Sequence, residues 1–190
     1  SRGEAATWDD PAAPNVFVAR QPILRADSTV AGYELLYRSP MDPNLVERNP
    51  RAATGHVLAT ALFSIGLERL VGTARAWINF PRSWLIDGVI GVLPHDRVVL
   101  EVLESVHIDD DLLGTCTNLK ERGFTLALDH FEPDDEREPL LRLADYVKVD
   151  ISSVEQDDWS GLIDQIKSHG ATPVAERVEN WFDLDKVKKA

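Results

Sequence analysis

Seven short apolar, β-favouring runs recur along this chain, with helical or turn patterns between them: "VFVARQPIL", "TVAGYELLYR", "ARAWINF", "RVVLEVLE", "FTLALDHF", "YVKVDI" and "TPVAERVE". Such alternation is what βα units around a parallel sheet produce. Val57, Leu58, Ala61, Leu62 and Ile65 follow the 3.6-residue period, and Leu112, Leu113, Cys116 and Leu119 do so after three consecutive Asp residues that suit a helix start. Gly72, Gly123 and Gly170 punctuate the helix exits, and "WFDLDKVKKA" reads as a last helix with no strand after it. Either an open doubly wound sheet or a closed barrel fits this order. No Gly-x-Gly-x-x-Gly follows the first run, which makes a dinucleotide-binding sheet the weaker choice. With 190 residues, 44% of them hydrophobic, a single α/β domain is expected.

The polar residues at the carboxyl ends of these runs are Glu34, Asn79, Glu101, Asp129, Lys148, Asp150, Glu176 and Glu179. Asn79, Glu101, Asp129, Lys148 and Glu176 are separated by 22, 28, 19 and 28 residues, about one βα unit each time. Strand ends of a βα barrel converge on one mouth, so these residues are expected to meet there. Carboxylates, an amide and a lysine in one mouth make an oxygen-rich site for hard divalent cations such as Mg²⁺ or Mn²⁺. Polar residues also end strands because strands end at water, so the joint pattern carries more than any member. Lys148 between Val147 and Val149 is the exception: an inward lysine in a barrel needs anionic partners.

Thirty-two acidic against twenty basic side chains give a net charge of −12, which disfavours non-specific binding to nucleic acid or anionic membranes. A lone Cys116 forms no internal disulfide and no apolar run reaches membrane-spanning length, so the chain reads as cytoplasmic. Residues 1–15, polar with clustered Pro and Ala, are expected to be a flexible leader, and residues 16–190 the folded domain.

Taken in order, "RQPI", "YELLYR", "INF", "LEVLES", "LDHF", "VKVD" and "AERVE" resemble the EAL family of cyclic di-GMP phosphodiesterases, most of all the EAL modules that precede an HDOD domain in bacterial signalling proteins. The resemblance implies a modified TIM-like (β/α) barrel, here incomplete at its C-terminal side, with an HDOD domain expected downstream. It also implies cleavage of cyclic di-GMP with two metal ions. Glu34 in "ELLYR" resembles a metal ligand, and Asn79, Glu101 and Asp129 the remaining ligands of the first metal. Lys148 resembles the lysine that positions the attacking water, and Glu176 the late glutamate near the metals. Gln21 resembles a guanine contact, and Arg38 either a phosphate contact or a surface ion pair. Glu179 resembles a supporting glutamate that fixes the local loop, with Asp150 a second supporting residue; Glu104 is read as a neighbouring structural carboxylate.

One segment departs from the family. Where its enzymes carry two adjacent Asp followed by Phe-Gly-Thr-Gly, this chain has Asp129, His130, Phe131 and then "EPDDEREP". An imidazole in place of the second carboxylate contributes no negative charge and prefers borderline metals. His130 is read as a hydrogen-bonding or surface residue in preference to a Mn²⁺ or Zn²⁺ ligand. The flexible glycine-rich loop is replaced by an acidic, Pro-bounded one, expected to repel a dinucleotide unless it points away. The late Gln of the family would fall beyond Ala190.

The reading that follows is a degenerate EAL-like domain, a regulatory module or weak cyclic di-GMP sensor, with one Mg²⁺, Mn²⁺ or Ca²⁺ site kept and the second lost. A downstream HDOD domain or partner protein is its expected output, and a homodimer its expected assembly. Two rivals stand beside it: a working metal-dependent phosphodiesterase and a nucleotide-independent interaction scaffold.

Overall fold

The computed structural model describes residues 17–25, 27–38 and 66–189. The leader at 1–15 and the helix expected at Val57–Ile65 lie outside them. All seven expected runs form strands of one curled sheet, in sequence order: β1 (Phe17–Leu24), β2 (Val30–Arg38), β3 (Arg75–Phe80), β4 (Val98–Val102), β5 (Thr125–Leu128), β6 (Tyr146–Asp150) and β7 (Thr172–Glu176). The described helices are α1 (Leu67–Val71), α2 (Arg82–Ile86), α3 (Asp110–Glu121), α4 (Gln156–Ser168) and α5 (Trp181–Lys189). This is an incomplete TIM-like barrel. None of these helices is long and apolar enough to cross a membrane.

One pairing departs from a purely parallel sheet. β1 and β2 are antiparallel, with Gln21 opposite Glu34, and every later neighbour from β2 to β7 is parallel. The short link between the first two runs explains it, because a parallel crossover needs a dozen or more residues. Ser28 takes a left-handed φ of 66° in that link, and Asp27 Oδ1 accepts from the Thr29 N–H at 2.9 Å.

The two-residue period of the strands sorts their side chains onto two buried faces. Ala76, Ile78 and Phe80 of β3, Val98, Leu100 and Val102 of β4, and Leu126 and Leu128 of β5 face the outer helices and form the main core. Trp77, Val99 and Ala127 point inward and pack with Ile23, Tyr146 and Val174 as the apolar floor of the half-barrel. The Trp77 and Tyr146 rings lie 4.7 Å apart across that floor. Gly32 makes room for the indole: a Cβ there would run into Trp77 and stand 2.8 Å from the Arg75 carbonyl oxygen.

The helices follow their sequence signals. Asp109 caps α3, accepting from the Leu112 N–H at 2.9 Å, and Leu112, Cys116 and Leu119 bury one face. Gly123 leaves the helix at φ 86°. Lys120 at the C-terminal turn of α3 reaches Asp145 at 2.5 Å, and Asp145 also accepts from the Leu126 N–H at 2.8 Å. That pair ties the helix to the end of the sheet opposite the polar mouth.

A candidate acidic mouth at the strand ends

Two residues beyond the apolar floor, on the same inward face, the side chains change from hydrocarbon to charge. Glu34 follows Gly32 on β2, Asn79 follows Trp77, Glu101 follows Val99, Asp129 follows Ala127, Lys148 follows Tyr146 and Glu176 follows Val174. Strand period puts these six on the inward face. Asn79 stands opposite Glu101, whereas Glu34, Glu101 and Lys148 stand opposite Trp77, Ala127 and Val174, so the strands are staggered and the side chains meet as one charged layer only across that stagger.

Lys148 is the centre of the layer. Its Nζ donates to Asp129 Oδ1 at 2.6 Å and to Glu34 Oε2 at 3.2 Å, and lies 2.8 Å from Glu176 Oε1 and 3.1 Å from Glu101 Oε1. Asn79 Nδ2 donates to Glu34 Oε1 at 3.2 Å. Burial by itself would lower the pKa of Lys148, but Glu101, Asp129, Glu34 and Glu176 outweigh it and hold the ammonium firmly protonated. One ammonium does not neutralise four carboxylates. Glu101 shows the deficit: it is 0% exposed and neither of its oxygens receives an aligned hydrogen bond. Desolvation, opposed by Lys148, pushes its pKa well above the ordinary range. Burial likewise raises Glu176. In Asp129 burial works upward too, but His130 and Lys148 together hold the carboxyl below its usual value.

His130 joins this layer by a backbone exception. In a continuing strand, Asp129 and His130 would point to opposite faces. At φ 45° His130 turns the chain into the left-handed region, and its Nδ1 stands 3.3 Å from Asp129 Oδ2 and 3.5 Å from Glu176 Oε2. Neither contact has the alignment of a good hydrogen bond. Asp129 first, against some desolvation and with help from Glu176, lifts the imidazole pKa to about 9. Exposed Glu104 is also near, and one donor atom each from Glu104, Asp129 and His130 fall within 4.8 Å of one another.

The remaining expected residues lie around this layer. Asp150 is buried but turned to its own loop, accepting from the Ser152 N–H at 2.8 Å and Oγ at 2.6 Å and pairing with Arg177 Nε at 3.1 Å. Gln21 and Glu179 are exposed; the Glu179 N–H donates to Asp183 Oδ2 at 3.1 Å. Arg38 ends β2, and its side chain lies outside the described residues.

The residue that inspection of the sequence missed is Arg137. It lies inside the acidic loop yet is 2% exposed. Its five N–H donors are all used: Nε and Nη2 clamp Asp135 at 3.0 and 2.6 Å, Nη1 donates to the carbonyls of Val102 at 3.1 Å and Asp129 at 2.7 Å, and Nη2 also donates to the carbonyl of His130 at 3.0 Å. The expected repulsive loop is thus partly neutralised from within. Its remaining carboxylates, Glu132 and Glu136 among them, line a cleft of about 490 Å³ with Glu104 and His130. The only sequence signal was an Asp-x-Arg triplet between Pro133 and Pro139.

A buried, under-neutralised carboxylate layer with an unsatisfied Glu101 fits a hard divalent cation, which would supply the missing positive charge. Glu34, Asn79, Glu101 and Asp129 bring oxygens that could hold one, although Lys148 Nζ now stands among the three carboxylates.

No protein-family model matches the chain, but individual relatives do. Over 177 residues, 92% of this chain, it is 32% identical to the cyclic di-GMP phosphodiesterase CdgJ of Vibrio cholerae and spans 41% of that protein's length. An EAL domain protein from Listeria monocytogenes superposes with a TM-score of 0.73 at 18% identity, over 93% of this chain and 83% of the other. The manganese and cyclic di-GMP complex of Klebsiella pneumoniae BlrP1 superposes with a TM-score of 0.67 at 25% identity, over 96% of this chain and 55% of the other. Related to CdgJ along 92% of its own residues and sharing the fold of an EAL domain protein, this chain belongs to the EAL-domain family.

Proposed function

We propose that this chain is a catalytically impaired EAL domain that binds one divalent cation and, weakly, cyclic di-GMP, and that it acts in regulation. The observation that carries the reading is the imidazole of His130, within 3.5 Å of both Asp129 and Glu176, where a second cation would need a carboxylate. A divalent ion in such a mouth lowers the pKa of a bound water and stabilises a developing oxyanion. Glu34, Asn79, Glu101 and Asp129 would hold that ion. Lys148 would keep its ammonium among the carboxylates and orient a water there. Gln21 would reach a guanine and Arg38 a phosphate oxygen, with Glu179 and Asp150 supporting the flanking loops. His130 adds positive charge beside Asp129 but no anionic oxygen. Loss of one ion of a two-metal phosphodiester cleavage costs several kcal/mol of barrier, on the order of a thousandfold in rate.

The output on this reading passes by protein contact. CdgJ has sequence beyond the matched part, which leaves room for an HDOD domain in a longer chain of this type. Calorimetry with cyclic di-GMP and Mg²⁺ or Mn²⁺, followed by chromatography of the product, tests the proposal. Heat without linear dinucleotide is expected, and His130→Asp alone is not expected to create turnover, because the 131–140 segment keeps its own packing. Robust product that vanishes in Glu34→Ala would overturn it and favour a working phosphodiesterase, the second reading, which the convergence of Glu34, Asn79, Glu101, Asp129, Lys148 and Glu176 supports. Neither heat nor product would point to an interaction scaffold.

A further inference from the structure

The geometry points to Arg137 as a positioning residue for the acidic mouth, one that fixes Asp129 and His130 by their backbone without entering the mouth itself. The guanidinium bonds the carbonyls of Val102, Asp129 and His130 at once, joining the end of β4 to the two residues that follow β5. The Asp129 and His130 carbonyls belong to the turn that sends these two side chains to the same side, and that of Val102 anchors it to β4. The next residue completes the fixation: the Phe131 N–H donates to the Lys148 carbonyl at 2.8 Å, and the Phe131 ring is buried in the core, 5.9 Å from the guanidinium carbon. Asp135 holds the fork in plane through two oxygens and accepts from the Arg137 N–H at 2.7 Å as well. A lysine could supply the charge, but only one end-on group of donors in place of a planar fork. The altered loop is therefore a built support whose hub is internal, and its precision passes to the cation ligands through the strand ends. Outer supports of this kind tune metal affinity without touching the metal.

The inference rests in part on the reading of the mouth as a divalent-cation site, and the test separates the two. Mn²⁺ binding is followed by electron paramagnetic resonance in wild type, Arg137→Met, Arg137→Lys and the milder Asp135→Asn, at a temperature where circular dichroism shows each folded. Lys120→Met, which breaks an ion pair at the opposite end of the sheet, serves as the stability control. The Arg137 variants should bind Mn²⁺ roughly tenfold more weakly, Asp135→Asn should show the same change in smaller degree, and Lys120→Met should bind as wild type. In the metal-free proteins, the Phe131 amide should exchange with solvent faster in the Arg137 and Asp135 variants than in Lys120→Met. Wild-type Mn²⁺ affinity in the folded Arg137→Lys protein would overturn the inference. Should wild type itself bind no Mn²⁺, the cation reading fails, and the Phe131 amide then decides alone: protection equal to the control makes Arg137 a space-filler.

Discussion

Two buried cations stand a few residues from the same strand ends, and they are satisfied in opposite ways. Arg137 meets one carboxylate and three carbonyls, and each of its five N–H groups has an acceptor. Lys148 meets four carboxylates, which leaves the layer short of positive charge and Glu101 without an aligned donor. A buried cluster with every donor and acceptor matched is costly only when broken, whereas one with excess negative charge costs stability as it stands and is receptive to a further cation. The difference separates the segment that holds the site from the site itself.

The largest test of the contrast removes each cation in turn. Lys148→Met leaves four carboxylates crowded together with no ammonium and should cost about 3–5 kcal/mol at neutral pH. Much of that loss should return on adding Mn²⁺ or Mg²⁺, because a divalent ion can replace the missing charge, and thermal unfolding with and without the ion measures it. Arg137→Met should cost about 3 kcal/mol, since it strands Asp135 and three carbonyls, and divalent ions should restore little of it. Equal recovery of both variants by metal would break the distinction.

A smaller effect sharpens it. Glu101→Gln removes the least satisfied charge, so the metal-free protein should gain on the order of 1 kcal/mol at neutral pH while losing affinity for Mn²⁺. The sign follows from linkage. A carboxyl whose folded pKa is raised costs stability once pH exceeds its unfolded value, so the gain should fade as urea unfolding is repeated below pH 4.5. A gain that persists there would mean that shape, not charge, makes Glu101 costly.

The smallest expected effect belongs to His130, whose imidazole is partly exposed to solvent. Its pKa, raised by Asp129 to about 9, adds stability that is complete below the unfolded value of 6.5 and is lost as pH rises through 9. Screening by water keeps the contribution small, so His130→Gln should flatten the decline of the melting temperature across that window by about 1–2 °C in metal-free buffer. An unchanged slope would show that the imidazole does not engage Asp129 and Glu176 in solution.

Much of the site was legible in the sequence because strand period is rigid. Once "AWINF", "VVLEV", "TLALD" and "YVKVD" were read as strands, residues two apart had to share a face, so Asn79, Glu101, Asp129 and Lys148 had to follow Trp77, Val99, Ala127 and Tyr146 on the same side; the stagger between strands was not legible. The need of Lys148 for anions followed from its apolar flanks. The antiparallel start was less legible, since the apolar pattern of β1 and β2 is indifferent to direction and only the length of their link bears on it.

What the sequence determined by itself is the alternation of strands and helices, the order of the strand-end residues and the charge they carry, because local period and composition act along the chain; the barrel came from the family resemblance. Tertiary structure alone decided which carboxylates crowd one ammonium, that Asp129 and His130 face the same side, and that Arg137 is buried. An arginine in a run of acids reads as a solvated surface residue, for nothing beside it in sequence announces acceptors. Its partners Val102 and Asp129 lie 35 and 8 positions away, and they are carbonyl groups, which every residue has. Only the closure of the sheet brings those oxygens to one point, and there the planar guanidinium is the side chain with the donors and the shape to meet them.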